Sequence, residues 1–261
     1  MKIAVCMSGQ LRQWKVAKEN QKWFWETSGV EIDYFIHTWD YSGDREGVSQ
    51  PYITRDVSRK EFDKLVDWYK PKGCMFDDRK QDFFYANDHW SSLFYSMAQS
   101  MILKRQYEID NDFEYDLVIK TRPDVVFDPR YHFSWEPLED NILFATQGGL
   151  MESEFHMFNT NDMVFYGKSY TMDLVIPMYF YRQKMLDQRN LFKDKLFTGS
   201  MGPGVLMQEY FRDYGITTQS IQPNRSTFIE TLVKLGCPQD LNLMDHNEFH
   251  KMEKYFRDWY T

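Results

Sequence analysis

A short segment in the middle of the chain places two cations and a carboxylate where a buried strand should end. Residues 117–119 are Leu-Val-Ile, an apolar run typical of an interior strand, and Pro123 should end its pairing because proline has no N–H to donate. Lys120, Arg122 and Asp124 would then lie at the carboxyl end of that strand, where open α/β sheets bind ligands. Two cations beside one carboxylate suit a phosphate group and the divalent metal that accompanies it. A structural ion pair between Arg122 and Asp124 is the alternative interpretation.

The amino-terminal segment has a second feature suited to an anion. Residues 3–7 are apolar, residues 8–12 read Ser-Gly-Gln-Leu-Arg, and a helical pattern follows from residue 13 to about residue 26. A helix that begins just after such a turn points its backbone N–H groups and its positive end toward an anion. No Walker or dinucleotide-binding motif is present, so an ordinary turn between strand and helix is the alternative. The residues predicted to contact a nucleotide or phosphate are Ser8, Gly9, Gln10 and Arg12.

Strands and helices alternate through the first half of the chain, and this order must position both groups of residues. Apolar runs predict strands near residues 32–36 and 74–76, and residues 58–69 and 92–109 carry apolar side chains at helical spacing. The order strand–helix–strand–helix–strand favours an α/β fold with a mostly parallel sheet. His37 follows the second strand, and we interpret it as a hydrogen-bonded structural histidine rather than a ligand.

The second half of the chain has further polar groups near predicted strands. Residues 142–145 predict a short strand, and Gly148 and Gly149 beyond its end would let a ligand approach the backbone closely. Residues 161–167 predict another strand, and a helix should follow from residue 169 to about residue 185. The acidic and imidazole side chains near these two strands are Glu154, His156 and Asp162.

The composition excludes several classes of protein. Charged residues make up 27% and apolar residues 43% of the 261 residues, as in globular rather than disordered chains. The net charge is −8 without a basic run, so we expect no nucleic-acid partner. The three cysteines lack metal-type spacing, and no apolar run is long enough for a membrane span. We therefore expect a soluble protein of a reducing compartment, the cytoplasm. Aromatic residues, at 18%, can fill a core or line a groove for hydroxyl-rich ligands.

Four segments, in this order, carry a resemblance to a known family: residues 2–12, 35–40, 115–124 and 161–167. Together they resemble the nucleotide-sugar glycosyltransferases of GT-A fold from bacterial and viral surface-polysaccharide pathways. The resemblance covers about residues 1–190. It implies a GT-A-like (Rossmann-like) α/β fold with a mixed, mostly parallel sheet flanked by helices. It also implies a single domain, with a nucleotide-binding half at residues 1–128 and an acceptor half at residues 129–261.

The resemblance also implies how a donor diphosphate is held. In this family the motif is usually Asp-x-Asp, which binds a divalent metal that bridges the diphosphate, and here Arg-Pro-Asp stands in its place at residues 122–124. Either the retained aspartate binds Mn²⁺ or Mg²⁺ with a second ligand from later in the chain, or Lys120 and Arg122 neutralise the diphosphate and metal is dispensable. The predicted metal ligands are Asp124 with His156 or His246, and Gly148 and Gly149 join the residues expected to bind the donor.

The activity implied by the resemblance is transfer of a sugar from a nucleoside-diphosphate donor to a saccharide acceptor. The departing diphosphate carries negative charge, which a metal or cations would stabilise. Inversion would also need a carboxylate base for the acceptor hydroxyl, and Asp162 and Glu154 are the candidates, with solvated or helix-capping acids as the alternative. The residues do not decide between inversion and retention. Rival interpretations are a nucleotidyltransferase-like enzyme and a non-catalytic carbohydrate-binding module. The expected location is the cytosol of a bacterium or of a virus-infected host.

Overall fold

A computed structural model describes residues 1–26, 30–44, 53–78, 89–127, 138–147, 160–180, 203–220 and 229–231. The strands are β1 (Lys2–Ser8), β2 (Glu31–Trp39), β3 (Tyr41–Asp44), β4 (Ile53–Asp56), β5 (Gly73–Asp77), β6 (Leu117–Thr121), β7 (Val125–Phe127), β8 (Ile142–Gln147), β9 (Thr160–Gly167), β10 (Thr217–Ser220) and β11 (Ile229–Thr231). The helices are α1 (Trp14–Glu26), α2 (Arg59–Tyr69), α3 (His89–Asn111), α4 (Ser169–Asp173), α5 (Val175–Phe180) and α6 (Pro203–Asp213). None of these described helices is both long and apolar enough to cross a membrane.

The central sheet has seven strands in the order β10-β8-β9-β6-β1-β2-β5. Strand β1 pairs in parallel with β2 and β6, β2 pairs in parallel with β5, and β10 pairs in parallel with β8. Strand β9 runs antiparallel to both of its neighbours, β6 and β8. The sheet is therefore mixed and mostly parallel, and the α/β fold class predicted from the sequence is confirmed.

Helices cover both faces of this sheet, because the interior strands are apolar on both sides. On one face Ile3, Val5 and Met7 of β1 pack with side chains of α1 and α2. On the other face Ala4 and Cys6 pack with side chains of α3, α5 and α6. This two-sided burial is typical of parallel strands and explains the continuous apolar run at the start of the chain.

Local signals define the ends of α2 as the sequence predicts. The Ser58 side chain accepts a hydrogen bond from the Glu61 N–H at 3.2 Å, which satisfies one of the donors exposed at the helix start. Lys70 has a left-handed backbone at φ 47° and its N–H donates to the Val66 oxygen, after which Pro71 prevents continuation.

Two predictions of local structure need correction. The sequence predicts a polar loop over residues 41–50, but Tyr41–Asp44 forms β3, which pairs antiparallel with β4. The Gly43 N–H of β3 also donates to the Gln10 Oε1 at 2.9 Å, a contact between residues far apart in the chain. The helix predicted from residue 169 to about 185 is interrupted at Leu174, between α4 and α5. Pro177 accounts for the break, because a proline ring clashes with the carbonyl four residues earlier and has no N–H to bond it.

The direction of the chain crossovers reverses at β1. The chain passes from β1 through α1 to β2 on one side, whereas β6, which follows α3, pairs with the other edge of β1. The carboxyl ends of β1 and β6 therefore form a topological switch point, the position at which open α/β sheets bind ligands. Both segments that the sequence analysis selects as anion-binding lie at these two strand ends.

Candidate functional site

The segment Arg122–Val125, here called the switch turn, leaves β6 at the switch point. The Arg122 guanidinium donates two hydrogen bonds to the Asp124 carboxylate, Nε to Oδ1 at 2.9 Å and Nη2 to Oδ2 at 2.6 Å. The Asp124 side chain is 1% exposed and the Arg122 side chain is 20% exposed. The structural ion pair considered in the sequence analysis is therefore present, and the guanidinium is the part of it that reaches the surface.

The charge of Asp124 is stabilised although the side chain is buried. Burial alone would raise the pKa of this carboxyl, but the positive charges and hydrogen bonds of Arg122, together with the charge of Arg12, bring it below its usual range. Arg12 follows β1 and Arg122 follows β6. The Asp124 carboxylate thus interacts electrostatically with two guanidinium groups, one from each side of the switch point.

Helix α1 holds the switch turn through buried amide groups. The Gln21 Nε2 donates to the main-chain oxygens of Arg122 at 2.9 Å and of Val125 at 2.6 Å, and lies 3.4 Å from that of Pro123. Tyr69 of α2 donates in turn to the Gln21 Oε1 at 3.2 Å. These bonds give the main-chain oxygens of the switch turn a buried donor, so the backbone beneath Arg122 is fixed.

Sequence reasoning did not select Gln21. It lies one helical turn from Ala17 and one turn from Trp25, both of which are fully buried. An amide within the apolar stripe of an amphipathic helix is the signal that could have found it, because a buried polar group needs a defined partner.

The other side of the switch point supplies a glycine and a hydroxyl group. Gly9 has φ +127°, a conformation that residues with a Cβ rarely adopt, and its N–H donates to the His37 oxygen at 3.2 Å. A Cβ on Gly9 would lie 4.0 Å from the Cδ of Pro123, so the two strand ends are adjacent. The buried hydroxyls of Ser8 and Thr121 find no hydrogen-bond partner within the described part of the chain. Such orphaned groups at a ligand-binding edge are suited to a bound polar molecule.

Gln10 and Arg12 have contacts within the protein. The Gln10 Oε1 accepts from the Arg12 Nε at 2.9 Å and from the Gly43 N–H at 2.9 Å. Gln10 therefore connects the β1–α1 loop to β3 and orients the Arg12 side chain. Their predicted contacts with a nucleotide stay predictions.

Lys120 lies beneath the switch point rather than on its surface. The side chain is fully buried, and its amine donates to the main-chain oxygen of Asp162. Burial lowers the pKa of Lys120 to about 7, while the nearby charge of Asp162 acts in the opposite direction. Near neutral pH both the protonated and the neutral form of the amine are therefore populated.

Asp162 reaches the site through the antiparallel pairing of β9 with β6. Lys120 pairs with Phe165, so the beginning of β9 lies beside the end of β6. The Asp162 Oδ2 is 3.7 Å from the Arg122 Nη1, and the Asp162 side chain is 24% exposed. The structure therefore brings this candidate base next to the guanidinium, as a partly exposed carboxylate.

Five residues of the predicted site lie outside the described residues: Gly148, Gly149, Glu154, His156 and His246. Within the described ranges no group of three or more His, Cys, Asp or Glu side chains could hold a metal ion. Both oxygens of Asp124 are bonded to Arg122, so this carboxylate does not fit a metal ligand in this arrangement. The predicted metal site stays a prediction.

A second polar group lies at the same edge of the sheet, on β2, β5 and α3. The His37 Nδ1 is 2.8 Å from the Ser96 Oγ, and its Nε2 is 3.1 Å from the Asp77 Oδ2. The Tyr95 hydroxyl donates to the same Asp77 oxygen at 2.8 Å. Burial lowers the pKa of His37, so the ring is neutral, with Nε2–H donating to Asp77 and Nδ1 accepting from Ser96. His37 is thus a hydrogen-bonded structural histidine, as interpreted from the sequence.

Comparison with known proteins gives matches among solved structures. No protein-family model and no curated protein matches the sequence. The glycosyltransferase GlyE of Streptococcus pneumoniae TIGR4 is 13% identical at a TM-score of 0.40, over 85% of this chain and 45% of GlyE. The galactosyltransferase LgtC, solved with donor and acceptor sugar analogs, is 13% identical at a TM-score of 0.43, over 84% of this chain and 73% of LgtC. A glycosyltransferase that acts in glycosylation of the major capsid of PBCV-1 is 10% identical at a TM-score of 0.41, over 85% of this chain and 82% of that one. This chain spans less than half the length of GlyE.

Proposed function

We propose that the protein is a glycosyltransferase that moves a sugar from a nucleoside-diphosphate donor to a saccharide acceptor. The observation that carries the proposal is the composition of the switch point. Two guanidinium groups, Arg12 and Arg122, converge there on Asp124, beside a positive-φ glycine and the orphaned hydroxyl of Ser8. Guanidinium and hydroxyl groups are donors that a diphosphate needs, and a glycine lets a ligand approach the backbone closely.

Arg122 is the residue best placed to stabilise the departing diphosphate. Its guanidinium is oriented by two bonds to Asp124, and its backbone is held by Gln21, so little reorganisation is needed when charge develops on the leaving group. Because Asp124 is buried and Arg122 is partly exposed, the positive end of the pair faces the ligand edge of the sheet.

Lys120 can add positive charge without contacting the ligand. Its pKa of about 7 reflects burial, and an anion above the strand end would favour the protonated form. Donor binding would then draw a proton onto this amine. The charge beneath the diphosphate would increase only when the donor is present, which favours the departure of the leaving group.

Asp162 is the candidate base for an inverting reaction. Its carboxylate lies beside Arg122 and is partly exposed, so an acceptor hydroxyl could reach it on the side of the sheet formed by the second half of the chain. This placement supports a division into a nucleotide-binding half at residues 1–128 and an acceptor half at residues 129–261. Glu154, the other candidate, lies outside the described residues.

A ligand screen tests the proposal. Nucleoside diphosphates and their sugar conjugates, each with and without Mn²⁺, should raise the melting temperature, and a sugar conjugate should be turned over to the free nucleoside diphosphate when a saccharide acceptor is added. Release of pyrophosphate would indicate the nucleotidyltransferase alternative. Binding of saccharides without any turnover of a donor would indicate a carbohydrate-binding module. Absence of any response to nucleotides would refute the proposed function.

The cellular location belongs to the same proposal. The described cysteines, Cys6 and Cys74, are both free thiols, which supports the cytosol of a bacterium or of a virus-infected host. Nucleotide sugars are the expected small-molecule partners there. Fractionation of cells that express the native gene would test this placement.

A further inference from the structure

We infer that Arg122 takes the place of the divalent cation, so that guanidinium groups of the protein bind the donor diphosphate directly and neither binding nor transfer requires Mn²⁺ or Mg²⁺. This inference rests on the proposed function and adds to it the means by which the leaving group is held. It departs from the metal site predicted from the sequence. It is carried by the bonds that occupy the Asp124 carboxylate, by the burial of that carboxylate, and by the balance of charge at the switch point.

The oxygens that a metal would need from Asp124 are already bonded. Arg122 donates to both of them, from Nε to Oδ1 at 2.9 Å and from Nη2 to Oδ2 at 2.6 Å. Two parallel hydrogen bonds between a guanidinium and a carboxylate form a pair that is strong and also fixed in geometry. A divalent cation at the remaining lone pairs of this carboxylate would lie next to the guanidinium and be repelled by it. A metal bound to Asp124 therefore requires Arg122 to move away.

The burial of Asp124 also opposes a metal. Its side chain is 1% exposed, whereas that of Arg122 is 20% exposed and reaches the surface. Mg²⁺ is octahedral and gives up its waters reluctantly, so it usually keeps several of them when a protein binds it. A hydrated ion of this kind does not fit against a carboxylate that solvent barely reaches. The member of this ion pair that a donor meets at the edge of the sheet is therefore the guanidinium.

Helix α1 holds the switch turn against the movement that would expose Asp124. The Gln21 Nε2 donates to the main-chain oxygens of Arg122 at 2.9 Å and of Val125 at 2.6 Å. One residue earlier in the helix, the Asn20 Nδ2 donates to the Phe127 oxygen at 2.9 Å, and the Asn20 Oδ1 accepts from the Phe127 N–H at 2.7 Å. Two amide side chains thus tie the backbone to α1 on both sides of Asp124. The ion pair is built on a fixed backbone, and an opening for a metal would break these bonds as well.

Groups of the protein already balance the carboxylates at the switch point. Asp162 also lies there, with its Oδ2 3.7 Å from the Arg122 Nη1, so Arg122 is beside both carboxylates. The charge of Arg12 acts on Asp124 from the loop after β1. Within the ranges that the structure describes, no three His, Cys, Asp or Glu side chains come together in a way that could hold a metal ion. The two carboxylates of an Asp-x-Asp motif need a cation from solution, whereas here the protein supplies the positive charge.

A guanidinium can supply what a metal supplies to a departing diphosphate. It is charged at any physiological pH, and its planar N–H groups match pairs of phosphate oxygens. A cation fixed in this way stabilises the negative charge that develops on the leaving group. Mn²⁺ in solution would bind the same phosphate oxygens and cancel part of the charge that the guanidinium groups recognise. The metal should therefore compete with the protein for the diphosphate.

The test is calorimetric titration of the full chain, first dialysed against EDTA, with UDP, GDP, CDP and ADP. The nucleotide that binds most tightly is then titrated again in the presence of Mn²⁺. For the wild-type protein the affinity with Mn²⁺ should be equal to or lower than the affinity in EDTA. A metal that bridges the diphosphate to the protein would instead raise the affinity about 10-fold or more.

Arg122→Asp replaces the guanidinium with a second carboxylate and gives the sequence Asp-Pro-Asp. In EDTA the affinity of this variant for the nucleotide should fall about 100-fold or more, because an anion then faces the phosphates. Mn²⁺ should raise the affinity of the variant, which is the opposite of its effect on the wild type. Arg59→Asp is the matched control with the same change of charge. Arg59 is 72% exposed and pairs with Asp63 on α2, so this substitution should leave the affinity unchanged in both conditions.

The possible results separate this inference from the proposed function. A wild-type affinity that Mn²⁺ raises about 10-fold or more would overturn the inference, while nucleotide binding would still support the proposed function. The inference would also be overturned if Arg122→Asp bound as tightly as the wild type in EDTA, or if Mn²⁺ failed to raise the affinity of that variant. Failure of all four nucleotides to bind in either condition would overturn both. If Arg122→Asp does not fold, Arg122→Gln replaces it, because its amide can still donate to Asp124. The affinity of Arg122→Gln in EDTA should fall about 10- to 100-fold, and an affinity equal to that of the wild type would again overturn the inference.

Discussion

Replacement of Arg122 by methionine tests whether the ion pair of the switch turn is structural, functional or both. The substitution keeps most of the volume of the side chain and removes its charge. It leaves the Asp124 carboxylate, 1% exposed, without the two hydrogen bonds that it accepts from Arg122. An uncompensated buried charge of this kind costs about 3–5 kcal/mol in the free energy of unfolding. In the variant the pKa of Asp124 would rise, and partial protonation of its carboxyl would keep the loss in the free energy of unfolding near the lower end of this range.

The double substitution Arg122→Met with Asp124→Asn separates stability from binding. With both charges removed, most of the stability should return, and the coupling free energy of the cycle should be about 2 kcal/mol or more. Affinity for a nucleoside diphosphate should not return, because the guanidinium that we propose to contact phosphate is still absent. The expected loss is about 10- to 100-fold relative to the wild type.

The assay combines urea unfolding with calorimetric titration of a nucleoside diphosphate for the four proteins of the cycle. Arg59→Met is the matched control. Arg59 is 72% exposed and donates to Asp63, which is 55% exposed, so its loss should cost less than about 1 kcal/mol and leave binding unchanged. A cost below 1 kcal/mol for Arg122→Met would contradict the burial of the pair. A double variant with wild-type affinity would show that Arg122 is a structural residue only, and the proposed function would lose its main support.

Three other substitutions test the surroundings of the switch turn. Gln21→Leu should lower the free energy of unfolding by about 3 kcal/mol, because buried carbonyls lose their donor. The control Glu19→Ala, on the exposed side of the same helix, should change the free energy of unfolding little. Equal effects of the two substitutions in urea unfolding would contradict the role of Gln21. Because burial lowers the pKa of Lys120, the unfolded chain keeps this amine protonated up to a higher pH than the folded protein does. The free energy of unfolding should therefore rise from pH 7 to 8.5, by up to ~1.4 kcal/mol per pH unit. Lys120→Met should remove this rise. The same variant should abolish the proton uptake that accompanies nucleotide binding, measured by calorimetry in buffers of different ionisation enthalpy. Asp162→Asn should slow sugar transfer by about 10²-fold or more while donor affinity changes little; an equal loss of both would argue against its role as a base.

The local features of the fold could be predicted from the sequence. The strand that ends before Pro123, the helix that begins after Ser58 and the alternation of strands and helices depend on residues close together in the chain. Because ligands bind at the carboxyl ends of such strands, the same local reasoning located Ser8 and Arg122 at the ligand edge.

The contacts that give these residues their properties could not be predicted in this way, because they join distant parts of the chain. Gln21 holds a turn that lies about one hundred positions away, and His37 orients an aspartate that lies 40 positions away. The pKa of Lys120 depends on burial beneath Asp162, which only the antiparallel pairing of β9 creates. Desolvation and hydrogen bonding are properties of the folded surroundings, and residue type alone does not specify them. The amino-acid sequence by itself therefore determined which chemical groups reach this edge of the sheet, whereas the tertiary structure decided which of them are charged, held and exposed.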